Sequence, residues 1–122
     1  MRRHATRSAV FGVLAAFLLA GCAGMTPKRT CFFVLKEATL TMQEEAIFFS
    51  TPEGQSVVQA HRDQLKWAAD ALDTAYHTAR PLCEQGLDAA AATQSLESGI
   101  AGVQVFLPTA TVTNIKQEAA KP

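Results

Sequence analysis

The chain has 122 residues, 48% of them hydrophobic, with 11 basic residues against 11 acidic ones and three cysteines. That length holds one small domain at most. Zero formal charge, with no Lys/Arg cluster beyond the first seven residues, argues against a nucleic-acid binder, and the apolar content argues against a disordered chain.

Arg2, Arg3 and Arg7 open the chain, and Ala9 to Gly21 then runs thirteen residues without a charge. A basic start followed by a short apolar run is the layout of an export signal. Thirteen helical residues span roughly 20 Å, short of the ~30 Å hydrocarbon core, so a permanent membrane span is disfavoured. The run ends in Leu19-Ala20-Gly21-Cys22, which resembles at all four positions the lipobox of bacterial lipoprotein precursors. The resemblance covers residues 1–22 only. It implies cleavage between Gly21 and Cys22, a thioether-linked diacylglyceryl group on Cys22, and acylation of the freed amine. His4-Ala5-Thr6 after the arginine pair lacks the apolar pair usual in twin-arginine signals, which points to the general secretory route. Ala23 stands where an Asp resembles the inner-membrane retention signal of Gram-negative lipoproteins, so the expected site is the outer membrane, facing the periplasm.

Residues 22–30 read as a lipidated tether, in which Lys28 and Arg29 can meet anionic headgroups. From Cys31 an apolar stripe follows through Leu35, Ala38, Met42, Ala46 and Phe49, at helical spacing. Phe32, Phe33, Val34 and Phe48 widen that surface, and core packing is the favoured reading of them. Ser50-Thr51-Pro52-Glu53 carries the signature of a helix start. The helix it opens places Val58, His61, Leu65, Ala68, Leu72, Ala75, Ala79 and Leu82 in one coiled-coil-like seam, until Pro81 ends or kinks it near Thr78 to Arg80. Asp88 is suited to cap a third helix reaching Leu107 through Leu96, Ile100 and Val103, with Gly99 and Gly102 either weakening it or admitting a neighbouring backbone. Pro108 stops the pattern, and residues 108–122 are expected to form a flexible tail. The expected fold is all-α: after a cleaved signal peptide 1–21, a helical domain 31–107 forms a small three-helix up-down bundle, or a helical hairpin with a third helix.

With Cys22 lipidated, Cys31 and Cys83 remain, an even pair in a compartment where disulfides persist; two buried free thiols are the alternative. Lengths oppose the pairing. Cys31 lies about 20 residues before the first turn and Cys83 about 31 after it, a mismatch of roughly 16 Å unless the second helix bends or Pro81 turns the chain back. Neither Cys-x-x-Cys nor paired histidine spacing is present, so no metal site is expected, and enzyme motifs are missing. Asp73 and His77 share a helix face and read as a surface ion pair; His61 reads as an edge-of-core histidine. Glu44 and Glu45 read as solvated. Trp67 lies off the seam and is assigned to packing on the third helix, with a partner anchor as the alternative.

The favoured function is non-enzymatic contact with an envelope protein, or self-association, in the periplasm, using Phe32, Phe33, Phe48 and Trp67. The alternative is a small-ligand or lipid binder whose helical cavity is lined by those residues and Phe49. Membrane contact is expected through the lipid anchor, and no cofactor is expected beyond the covalent lipid on Cys22. Removal of residues 1–21 takes away three arginines and leaves 8 basic against 11 acidic residues.

Overall fold

The computed structural model describes residues 26–122; the expected signal peptide, the expected cleavage site between Gly21 and Cys22 and the start of the expected tether lie outside these residues. Within the described residues the chain is all-α, with α1 Pro27–Phe49, α2 Pro52–Ala60, α3 Arg62–Glu84, α4 Ala90–Gln104 and α5 Thr109–Ala120. Helices α1, α3 and α4 make the expected up-down bundle. Its core joins Val34, Leu35 and Ala38 of α1 to Ala68, Leu72 and Ala79 of α3 and to Leu96, Ile100 and Val103 of α4.

Helix α1 begins four residues earlier than its apolar stripe. The Thr26 hydroxyl accepts a hydrogen bond from the Arg29 N–H at 3.2 Å, and Pro27 occupies the first turn. Lys28 and Arg29 therefore stand on a helix rather than on a tether. Thr26-Pro27 is the same start signal as Thr51-Pro52, where the Thr51 hydroxyl accepts from the Gly54 N–H at 3.0 Å.

The long second helix of the sequence reading is two helices. The chain bends at His61, with φ −132° and ψ 31°, where one residue ends α2 and starts α3. A straight helix over 52–84 would carry Val57 and Val58 past the end of α1 into solvent. After the bend they are half-buried, and α2 lies so close to α1 that any Cβ on Gly54 would overlap the Phe48 carbonyl. His61 itself is exposed and outside the seam, its ring 5.6 Å from that of Phe106.

Pro81 does not end α3. It is exposed and sits in the last turn before the helix end at Glu84, so it costs only the bond to the His77 carbonyl, and the Gln85 N–H still donates to the Pro81 carbonyl at 3.0 Å. Gly86 then turns the chain with φ 67°, a left-handed conformation suited to glycine after a helix. Asp88 accepts from the Ala90 N–H at 3.2 Å, one residue outside the formal cap Ala89. Gly99 admits a neighbouring backbone, since a Cβ there would lie 3.1 Å from Leu72 Cα, whereas Gly102 has open space.

The C-terminal segment is the main departure from expectation. Residues 109–120 form α5, which packs on α1 with Ile115 and Ala119 buried. Its end is held by Lys36, whose Nζ donates to the Lys121 carbonyl at 2.9 Å. Pro108 does not stop the helical pattern, because proline before a helix costs no intrahelical bond, and Val112, Ile115 and Ala119 carry the three-and-four spacing of a buried face. Between α1 and α4, buried Gln104 donates to Thr41 Oγ1 at 3.2 Å and to Glu37 Oε1 at 3.3 Å. Thr41 in turn donates to the Glu37 carbonyl at 2.8 Å, so the polar pair is satisfied inside the core.

Candidate interaction surface

Cys31 and Cys83 are joined by a disulfide with Cα atoms 5.7 Å apart. The bend at His61 removes the length mismatch, because α1 and α3 are both 23 residues long and lie alongside each other. Both cysteines are buried, and Thr93 of α4 donates to Cys31 Sγ at 3.8 Å, bringing three helices together at this end of the bundle.

The five aromatic residues proposed to share a cavity do not converge. Phe32 is exposed, Phe33 packs half-buried against the core, and Phe48 and Phe49 meet each other at 5.3 Å at the far end of α1. Sixteen residues separate Phe32 from Phe48, about 24 Å of helix. Trp67 is not packed on α4 but 75% exposed, so the expectation of a packing role fails.

Trp67 instead stands at the junction of two hollows. One, about 840 Å³, is a groove between α3 and α4 lined mostly by small side chains, among them Ala71, Thr74, Ala91, Ser95 and Gly102. The other, about 470 Å³, lies among Gln64, Ala68, Gly102 and Phe106. Small residues at these positions explain the shape: they fill the α3–α4 seam beneath them and leave nothing above it. The charged residues lining the two hollows are Asp63, Asp70 and Asp88, with no lysine or arginine. None of these three carboxylates is in an ion pair among the described residues.

A third cavity, about 760 Å³, opens at the disulfide end between the first turn of α1 and the Gly86–Ala90 turn. Phe32, Phe33, Phe48 and Phe49 line none of these three.

Asp73 and His77 form an exposed pair at 3.3 Å. Among the described residues no three His, Cys, Asp or Glu side chains gather as metal ligands, there or elsewhere. Glu44 and Glu45 are half-buried rather than solvated, and burial pushes the Glu45 carboxyl above its ordinary range. Among the described residues no helix is long and apolar enough to cross a membrane. No family model, curated protein or solved structure matches the chain.

Proposed function

We propose that this chain is the precursor of a lipid-anchored bacterial envelope protein that works without catalysis, by contact with another protein in the periplasm. The observation that carries the anchor is Leu19-Ala20-Gly21-Cys22 directly after a basic and apolar leader. Two or three acyl chains on Cys22 hold the protein durably, since each buried methylene contributes about 0.8 kcal/mol. The contact face is the α3–α4 groove around Trp67. An exposed tryptophan beside a groove of small side chains is the arrangement of a binding anchor, and the unpaired Asp63, Asp70 and Asp88 favour a partner segment that carries cations.

The test combines labelling with crosslinking in cells. Cys22→Ser is expected to abolish fatty-acid incorporation and leave an unprocessed precursor. A photoreactive amino acid at position 67 of the lipidated protein should capture a discrete neighbour that the same probe on α5 does not. Normal processing of the Cys22→Ser chain sinks the anchor, and identical capture from both faces sinks the contact role of the groove.

A further inference from the structure

We infer that the disulfide end of the bundle is a membrane-seating face, whose cavity takes the headgroup of an aminophospholipid. The inference rests on the anchor at Cys22 proposed above. Thr26, Pro27 and Lys28, the cap and first turn of α1, are themselves walls of the 760 Å³ cavity. Because α1 begins at Pro27, only Ala23 to Thr26 separate the helix from Cys22. Four residues reach at most about 14 Å even fully stretched, so a lipid on Cys22 keeps this end of the bundle close to the headgroup layer.

The chemistry of that end suits such a surface. Leu87, 55% exposed, lines the cavity with Pro27 and Ala89, and Phe32, 42% exposed, stands on the adjoining turns of α1. An aliphatic and an aromatic side chain left in water are unfavourable by themselves and gain from burial among acyl chains. The N-terminus of α1 opens on the cavity beside Lys28, and both favour a phosphate, whereas the N-terminus of α4 on the same cavity is already met by the Asp88 carboxylate. Asp88 and Glu97 complete the charged lining. A headgroup bearing both a phosphate and an amine meets opposite charge at each, whereas a purely anionic headgroup faces two carboxylates. The volume lies in the range of small-molecule sites, roughly 300–1,000 Å³.

Position 67 provides an internal control. Trp67 is the sole tryptophan and lies seventeen residues along α3 from Glu84, about 26 Å from the seating end. The lipidated protein is incorporated into vesicles containing brominated lipids, either phosphatidylethanolamine or phosphatidylglycerol in a phosphatidylcholine background. Fluorescence quenching is read for the native chain and for a Trp67→Phe/Leu87→Trp variant. The expected result is quenching several-fold stronger at position 87 than at 67. It should be greater with phosphatidylethanolamine than with phosphatidylglycerol, and that preference should vanish in Asp88→Asn/Glu97→Gln. Equal, weak quenching at both positions while the protein floats with the vesicles overturns the seating and leaves the anchor intact. Failure of the protein to float with vesicles overturns the anchor itself. Quenching at 87 that ignores headgroup type overturns the assignment to an aminophospholipid.

Discussion

Gly99 and Gly102 lie three residues apart on α4, and the sequence gives no reason to treat them differently. Their surroundings do. Alanine is favoured over glycine in a helix interior by about 0.8–1.0 kcal/mol, and at Gly102 nothing within 4 Å opposes a methyl group. Gly102→Ala is therefore expected to stabilise the domain by up to about 1 kcal/mol. At Gly99 the same methyl would meet Leu72 Cα at 3.1 Å, and a helix backbone cannot move aside as a side-chain tip can. Gly99→Ala should be net destabilising, by about 1–3 kcal/mol as for other overpacked sites. Denaturant midpoints of the two variants check this, and shifts of the same sign would contradict the close α3–α4 approach.

At the scale of elements, α5 carries the sharpest expectation. Ile115 is 2% exposed, so Ile115→Ala should cost about 2–4 kcal/mol in equilibrium unfolding, whereas a frayed tail would register almost nothing. The sequence shows why α5 is hard to foresee. Its face is only Val112, Ile115 and Ala119, among threonines and charged residues, and it becomes a helix because α1 offers a surface to cover. Helices α1, α3 and α4 were legible because each carries enough apolar positions at helical spacing to define a buried face unaided. The start of α1 was also written, in Thr26-Pro27, though the longer stripe from Cys31 drew the boundary inward. The break at His61 was not written. It follows neither proline nor glycine and arises because a helix over 52–84 outruns α1, a comparison of lengths that exists only after packing. The exposure of Trp67 was hidden for a related reason, since periodicity places a side chain on a face but does not say whether another helix covers it.

For the whole molecule, the disulfide joins residues 52 apart, and in the chain-entropy view such a closure contributes about 4 kcal/mol. Set against the 5–15 kcal/mol typical of native domains, this is a large fraction. The double variant Cys31→Ala/Cys83→Ala should lose about 3–4 kcal/mol in denaturant unfolding, with reduction of the native chain giving a similar loss. A loss below about 1 kcal/mol would show that the helices hold their positions without the closure.

The same bond has a mechanical meaning for a chain held at Cys22. Under the proposed anchoring, tension would enter α1 at Pro27, and a helix pulled from its end yields by unwinding one turn after another. Here only the residues before Cys31 can unwind in that way, after which the covalent link passes the load to α3 near its own terminus. Further extension must slide two packed helices against each other in shear, engaging many contacts at once. A pull along the tether is thus met by the bundle as a body, not by the first helix alone.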